Sequence, residues 1–246
     1  MLRLFLALLI AAVVLALTPF TSDPTDVKVL LYQWGGFLAL GGVCFGRQAS
    51  AWRRPRVFFP ILAVLIIVHG LAAMCSSYPG NSLVELSKLL SLCFLYFVAS
   101  QIYHTPRDVR PLLLAICLAV ACSSVYAFLQ KAGLDVFPWD PRYLTSDSYT
   151  ELPGTFGNPN LAAHALILAE ILAVYLAQHG GAWRWCYLFL PLFITHHYFT
   201  GQRGGVVALS AAILLLLVAR SVRRRVANPA KAVGVTLVVT GLLSVA

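Results

Sequence analysis

Charge is what this sequence has least of. Charged residues occupy only 11% of its 246 positions, whereas 60% are hydrophobic. Soluble globular domains carry charged residues at about a quarter of their positions, so the composition excludes a soluble domain. The mean hydropathy of +0.82 and apolar runs of about 17 to 22 residues are instead typical of helices that cross a bilayer.

Several catalytic signatures are also missing. The chain has no Asp-x-Asp pair to hold a metal, no Walker-type phosphate loop, no His-Glu-x-x-His helix and no Gly-x-Ser-x-Gly turn. Its six cysteines lie within or at the ends of apolar runs without metal-ligand spacing, which favours a packing role. The sequence therefore predicts no metal, no nucleotide and no other cofactor.

The apolar runs predict an all-α, polytopic membrane protein with about nine transmembrane helices and one longer external loop at about residues 131–158. We place the runs at residues 2–19, 28–46, 57–75, 83–103, 110–130, 159–178, 184–200, 205–220 and 232–246. Because these crossings leave no room for a soluble domain, residues 1–246 are expected to form a single transmembrane helical domain. The last run reaches Ala246 without a polar flank, so we expect the N-terminal portion of a longer protein.

Basic residues predict the orientation. With Arg3 in the cytoplasm, the loops that follow the even-numbered helices hold most of the 18 Lys and Arg residues, in keeping with the positive-inside rule. The opposite side has Lys28, Lys88, Lys131, Arg142 and Arg203. We therefore interpret the net charge of +9 as a topology signal, with membrane lipid headgroups as its partners and no nucleic acid.

A polar block, Gly-Thr-Phe-Gly-Asn-Pro-Asn at residues 154–160, opens the sixth predicted helix. Asn158 is a good N-cap, and the proline after it suits the first helical position. Free N–H groups at a helix start bind anions, so Gly157, Asn158 and Asn160 are candidates for substrate binding. His164 lies one turn beyond Asn160 on the same face and is assigned to the same site. The alternative is a well-capped helix without a ligand.

Arg203 begins the eighth predicted helix, within Thr-Gly-Gln-Arg-Gly-Gly. A charge beside a membrane span is costly unless it reaches the interface or binds a ligand, and a guanidinium pairs well with phosphate oxygens. The neighbouring glycines leave room for a bulky ligand. Arg203 is therefore the candidate catalytic residue, with Gln202 and Gly204 in the substrate site. The alternative is an interfacial arginine that extends to the headgroups.

Further polar residues lie inside the apolar runs, namely His69, Glu170, His196 and His197. An intramembrane carboxylate is a functional candidate, but the sequence identifies no partner for Glu170. For the adjacent His196 and His197, helix packing is the alternative to proton transfer, because two neighbouring helical residues do not easily face one cavity.

The two polar blocks, in this order, resemble motifs of the O-antigen ligase / O-antigen polymerase superfamily. Gly154-x-Phe-x-Asn-Pro-Asn at one helix start and Thr200-x-x-Arg-Gly at a later one recur there. The resemblance implies a membrane glycosyltransferase of lipopolysaccharide biosynthesis that takes a glycan from undecaprenyl pyrophosphate. The acceptor is a hydroxyl of lipid A–core, of a growing glycan or of a protein.

The resemblance carries further expectations. Arg203 matches the arginine that binds the donor pyrophosphate, and the family requires neither metal nor nucleotide. The protein is expected in the bacterial inner membrane, with its N-terminus cytoplasmic and its site facing the periplasm. The family's general-base histidine and a second arginine lie on a later external loop, and this sequence ends before such a loop, so the base is not identified here.

Two other functions stay open. A transporter or flippase of an anionic or lipid-linked substrate would use a helix broken near Gly157 and a coupling carboxylate at Glu170. The polar blocks, however, are predicted to share one face of the membrane and the sequence shows no clear repeat, which favours surface chemistry. An inactive membrane remnant or interaction protein is the third interpretation.

Overall fold

The computed structural model describes residues 1–17, 24–44, 58–135 and 151–204. All regular secondary structure in these ranges is helical, which confirms the predicted all-α class. The elements are α1 (Leu2–Leu15), α2 (Pro24–Cys44), α3 (Phe58–Met74), α4 (Pro79–Ile102), α5 (Pro106–Lys131), a 3₁₀ helix (Gly154–Phe156), α6 (Pro159–Ala177), a second 3₁₀ helix (Gly181–Leu188) and α7 (Phe189–Phe199).

Helices long and apolar enough to cross a membrane recur along the described chain. They comprise Asp26–Cys44, Pro79–Ile102, Pro106–Lys131 and Pro159–Ala177, and two shorter apolar helices accompany them. Large apolar side chains such as Leu38, Ile67 and Leu92 are exposed, as expected where a surface contacts lipid. The helices thus support a membrane protein. The count of nine crossings stays a prediction, because the last two runs and residues 136–150 of the predicted external loop lie outside the described ranges.

The seventh predicted helix differs from expectation. The sequence predicts one helix over residues 184–200, whereas the structure begins this region with the 3₁₀ helix Gly181–Leu188 and continues it as the 11-residue helix α7. Pro191 gives the physical reason, because its ring nitrogen has no hydrogen to donate to the Tyr187 carbonyl in a continuous α-helix. The tighter 3₁₀ winding satisfies the preceding carbonyls by shorter-range bonds.

The residue contacts divide the chain into two compact units, Met1–Ala119 and Val120–Ala246, and the boundary falls inside α5. In the first unit, α2 packs against α1 and α4, and α3 packs against α4. The side chains at the centre of this packing are all apolar: Leu6, Leu9, Ala39, Val43, Val98 and Ile102.

Two glycines bring α2 close to its neighbours in the first unit. A side chain at Gly35 would clash with Leu9 of α1, and a Cβ at Gly36 would lie 3.3 Å from the Ser91 carbonyl oxygen of α4. Small residues let helix backbones approach in this way in membrane bundles. The first unit is therefore held by close apolar packing.

Polar contacts in the first unit lie mainly at helix ends. Arg3 Nη1 is 2.7 Å from Asp108 Oδ1, and Arg3 Nη2 donates to the Ile102 carbonyl at 3.1 Å. At the other end of α1, Lys28 Nζ donates to the Val13 and Val14 carbonyls at 2.9 and 2.7 Å. These bonds satisfy carbonyls that a helix leaves open at its end, so they secure the elements without lining a site.

The second unit is built differently. Helix α6 packs against α7 and against both 3₁₀ helices, and the C-terminal half of α5 bonds to the segment that precedes α6. A short segment, residues 151–158, therefore lies among three helices and positions the polar residues described below.

Candidate functional site

A group of buried polar side chains occupies the interior of the second unit. We call it the polar core, and it consists of Ser123, Ser124, Thr155, Glu170, His196 and His197, each no more than 5% exposed. Buried polar groups are costly unless they bond to one another, and most of these side chains do. The polar core thus consists of three bonded pairs, Ser123 with Thr155, Ser124 with His196, and Glu170 with His197, which link α5, the first 3₁₀ helix, α6 and α7.

His196 joins α7 to α5 and to the segment before α6. Its Nε2 lies 3.1 Å from the Leu152 carbonyl oxygen, and its Nδ1 lies 2.9 Å from Ser124 Oγ. A carbonyl oxygen only accepts, so Nε2 carries the hydrogen and donates. His196 is fully buried, and Phe128 packs on it with ring centroids 6.0 Å apart.

The Ser124 hydroxyl has two acceptors for one hydrogen. Its oxygen is 2.9 Å from the Val120 carbonyl and 2.9 Å from His196 Nδ1. With a neutral His196, the hydroxyl donates to one of them at a time. With a protonated imidazole, Nδ1 donates to Ser124 and the hydroxyl keeps its bond to Val120. In either case the Ser124 hydroxyl joins α5 to α7.

Glu170 of α6 has the partner that sequence reasoning could not identify. Glu170 Oε1 lies 3.3 Å from His197 Nδ1, and the two side chains are 4% and 5% exposed. The outer atoms of the pair, Glu170 Oε2 and His197 Nε2, are buried without a hydrogen-bond partner among the described residues. The pair joins α6 to α7, and each side chain retains one buried polar atom that has no partner among the described residues.

Adjacent His196 and His197 are both buried, although they bond to different groups. His196 bonds to Ser124 and to the segment before α6, whereas His197 bonds to Glu170. The expectation that the two do not share one cavity agrees with this division. Helix packing, the alternative given for these residues, describes their contacts in the structure.

Residues 152–157, the part of the segment before α6 that we call the strap, bond to α5 and to the end of α7 through their backbone. The Leu152 N–H donates to the Phe199 carbonyl at 3.0 Å, and the Thr155 N–H donates to Ser123 Oγ at 3.0 Å. Gly154 has a positive φ of 57°, and a Cβ there would lie 2.8 Å from Ser123 Oγ and 2.9 Å from the Ser123 carbonyl oxygen. Only glycine fits this close approach without a shift of α5.

The chain just before the first motif contacts the second motif. Glu151 immediately precedes the strap, and its Oε2 accepts a hydrogen bond of 3.2 Å from Gln202 Nε2 across a sequence separation of 51 residues. Gln202 directly precedes Arg203. The chain that leads into Gly157 and Asn158 and the chain that leads into Arg203 are therefore joined by hydrogen bonds at one end of the second unit.

The start of α6 has the predicted cap. Asn158 Oδ1 accepts the Asn160 N–H at 2.8 Å, and Pro159 occupies the first turn, which confirms the capping part of the prediction. Gly157 has a positive φ of 71° where the 3₁₀ helix ends. The Asn158 and Asn160 side chains are both exposed.

Three other predicted site residues are exposed as well. Arg203, Gly204 and His164 lie at the surface, and Gln202 is half-buried against Glu151. No hydrogen bond joins His164 to Asn160, so their assignment to one cavity stays a prediction. The exposure of Arg203 leaves its guanidinium open to a ligand.

Comparisons with protein-family models, with curated proteins and with solved structures return no match to this chain. The resemblance to the ligase and polymerase superfamily therefore rests on the two sequence motifs alone. Family membership stays a proposal, as do the site roles that follow from it.

Several residues of this region were not singled out by sequence reasoning. Ser123 and Ser124 lie within an apolar run and Glu151 lies in the predicted external loop, while Thr155 lies in the first polar block without an assigned role. Two adjacent hydroxyls inside a predicted span are a usable signal, since such residues bond between helices in membranes. Nothing in the sequence near Glu151 indicates that Gln202 contacts it.

Proposed function

We propose that this protein is an O-antigen ligase-like membrane glycosyltransferase of the bacterial inner membrane. It transfers a glycan from undecaprenyl pyrophosphate to a hydroxyl of lipid A–core, of a growing glycan or of a protein, at the periplasmic face. The observation that supports this most is the hydrogen bond between Glu151 and Gln202. It joins Glu151, which lies shortly before the first motif, to Gln202 within the second motif.

In this proposal Arg203 binds the donor pyrophosphate. The leaving pyrophosphate gathers negative charge as the glycosyl bond breaks, so a guanidinium beside it stabilises the transition state more than the ground state. Gly201, with a positive φ of 65°, and Gly204 place no side chain between Arg203 and a bulky ligand. The capped start of α6 at Asn158 offers a second place where a phosphate oxygen is stabilised.

The polar core has a positioning role in the same scheme. It holds the strap through Leu152 and Thr155 and holds the end of α7 through His196 and His197. Catalytic geometry must be maintained within a fraction of an ångström, and buried hydrogen-bonded pairs permit fewer arrangements than apolar packing alone. Arg203 then binds the donor at the surface, and the polar core holds the backbone on which that surface is built.

A binding measurement with two arginine variants tests the proposal. The probe is undecaprenyl pyrophosphate, added to the purified full chain in detergent micelles. Arg203→Lys keeps the charge but loses the paired donors, and we expect at least tenfold weaker binding. Arg203→Ala is expected to weaken binding by about 100-fold, since the hydrogen bonds of a charged group contribute about 1.5–3 kcal/mol.

The matched control is Arg184→Lys, because Arg184 is also exposed but lies in the second 3₁₀ helix, before α7. Its binding is expected to equal that of the wild type. Equal affinity of the wild type and both Arg203 variants would refute the assignment of Arg203. No binding by any form would refute the donor class.

A transporter of an anionic or lipid-linked substrate is the second candidate function. The buried Glu170–His197 pair favours it, because intramembrane carboxylates and histidines form proton relays in transporters. The two functions differ in their product. A transferase releases free undecaprenyl pyrophosphate and a new glycoside, whereas a transporter moves the intact lipid-linked sugar across proteoliposomes, and this movement would be lost in Glu170→Gln.

A further inference from the structure

Basic residues are few on the predicted outer side of this chain, and two of them are occupied within the first unit. Lys28 Nζ donates to the Val13 and Val14 carbonyls at 2.9 and 2.7 Å. Lys88 Nζ lies 2.6 Å from Glu85 Oε1, in an ion pair within α4. The contacts of these two lysines therefore account for their positive charges.

Lys131 and Arg203 are the other outer-side basic residues that the structure describes, and both belong to the second unit. Both side chains are exposed, and neither forms a hydrogen bond or an ion pair with another described residue. Because Lys and Arg accumulate on the cytoplasmic side of membrane proteins, two uncompensated cations on the outer side indicate an anionic ligand.

Lys131 ends α5 and lies against the last residue of α7. Its Nζ is 3.8 Å from the centroid of the Phe199 ring, which is the geometry of a cation–π contact. Phe199 is held in turn by the edge-on ring of Phe128, with centroids 6.2 Å apart, and by the Leu152 N–H, which donates to its carbonyl. The ammonium group is thus placed at the end of α7.

The chain after α7 turns tightly and keeps Arg203 near the same point. The Gly201 N–H donates to the Tyr198 carbonyl at 3.3 Å, and Gly201 has a positive φ of 65°. Arg203 is only four positions after Phe199, and four residues span at most about 14 Å. The long side chains of Lys131 and Arg203 can therefore converge on one ligand.

We propose that Lys131 is a second cation of the donor site and makes this site prefer a lipid diphosphate to a lipid monophosphate. This inference rests on the transferase function proposed above. The Arg203 guanidinium pairs with two oxygens of one phosphate group, whereas the Lys131 ammonium acts as a point charge on the other. The second arginine that the family resemblance implies lies on a later loop, so Lys131 adds to that arginine and does not replace it.

Phospholipid headgroups supply the same phosphate chemistry, and a lysine at a helix end can extend to them. The number of phosphate groups separates the two sources. A headgroup phosphodiester and a lipid monophosphate each offer a single phosphate, whereas undecaprenyl pyrophosphate offers two adjacent ones. Only the diphosphate engages Lys131 and Arg203 together.

The experiment measures the Kd of the purified full chain, in neutral detergent micelles, for undecaprenyl pyrophosphate and for undecaprenyl monophosphate. Hydrogen bonds of a charged group contribute about 1.5–3 kcal/mol, so Lys131→Gln is expected to weaken pyrophosphate binding by at least about tenfold. Its affinity for the monophosphate should stay within about twofold of the wild type. Lys131→Arg, which keeps the charge, should retain pyrophosphate binding within about threefold.

Two further variants connect the effect to the contacts of Lys131. Phe199→Leu removes the ring beneath the ammonium group and should weaken pyrophosphate binding by about threefold, as expected for an exposed cation–π contact of about 0.5–1 kcal/mol. Lys88→Gln removes an outer-side lysine of the first unit and should bind both lipids as the wild type does. The thermal unfolding midpoint of each variant checks that it is folded.

The outcomes separate this inference from the function on which it rests. If the wild type does not bind undecaprenyl pyrophosphate, the donor class fails, and the role of Lys131 with it. If the Arg203 variants weaken binding and Lys131→Gln does not, the proposed function stands and Lys131 is no part of the site. Equal losses of both lipids in Lys131→Gln, or displacement of undecaprenyl pyrophosphate by phosphatidylglycerol, would overturn the inference in favour of a headgroup contact.

Discussion

The two units of this chain solve the same packing problem with different chemistry. In the first unit, α1, α2 and α4 meet through apolar side chains and glycines, and the ion pair of Arg3 lies at a helix end. In the second unit, the equivalent interior holds Ser124, Glu170, His196 and His197. The described first unit also contains buried Lys28 and Ser91, but its central side chains are apolar, so the cluster of buried polar pairs distinguishes the second unit.

The buried polar side chains lower the stability of the second unit, but they also restrict it to fewer packing arrangements. Desolvated polar groups recover only part of their solvation through hydrogen bonds, whereas they permit few alternative arrangements. The position of the strap depends on this restriction, because the buried His196 donates to the Leu152 carbonyl. The comparison therefore points to the second unit as the region in which geometry matters to function.

The largest expected effect comes from separating the buried pair. Glu170→Leu and His197→Leu each leave one polar partner buried without the other, and we expect each to lower the free energy of unfolding by about 3–5 kcal/mol. The double variant should lose less than the sum, because it leaves no unmatched group. Equilibrium unfolding in detergent micelles measures all three.

The matched control for this cycle is Ser91→Ala in the first unit. Ser91 is 2% exposed, but its hydroxyl bonds only within its own helix, to the Ser87 carbonyl at 2.9 Å. We expect a change below about 1 kcal/mol. Additive effects of Glu170→Leu and His197→Leu would show that the two side chains do not interact, and would remove the contrast between the units.

A smaller effect is expected from glycine substitution at the strap. Gly154→Ala places a Cβ within 2.9 Å of two Ser123 atoms at a positive φ. The left-handed conformation and the displacement of α5 together should cost about 2–4 kcal/mol. Thermal unfolding of the purified protein measures this loss.

Gly41→Ala is its counterpart in the first unit. A Cβ at Gly41 meets no atom within 4 Å, so the substitution should raise stability slightly, by up to about 1 kcal/mol, because alanine favours the helix. If Gly154→Ala were equally harmless, the close contact between the strap and α5 would not exist in the membrane-embedded protein.

Sequence reasoning predicted the helices better than the site. Apolar run length is a local property, so the positions of α1 to α6 followed from it, and Asn158 with the following proline located the start of α6. Pro191 was a local signal that the seventh run is divided into a 3₁₀ helix and α7. A prediction from the length of the apolar run alone did not use this signal.

The connections within the site could not be predicted because they are not local. His196 reaches Ser124 across 72 residues and Gln202 reaches Glu151 across 51. Each depends on how three helices and a strap pack, which composition and spacing do not encode. The role of Arg203 rests on a motif and on chemical argument, and it stays a prediction until the binding measurement is made.

The Glu170–His197 pair also has a consequence for biosynthesis. The histidine is encoded 27 residues after the glutamate, and at roughly 5–20 residues per second a ribosome needs about one to five seconds to make that length. For this interval the nascent chain has the Glu170 carboxyl but not the imidazole that it contacts in the folded protein. The contact between Glu170 of α6 and His197 of α7 can form only after α7 has left the ribosome.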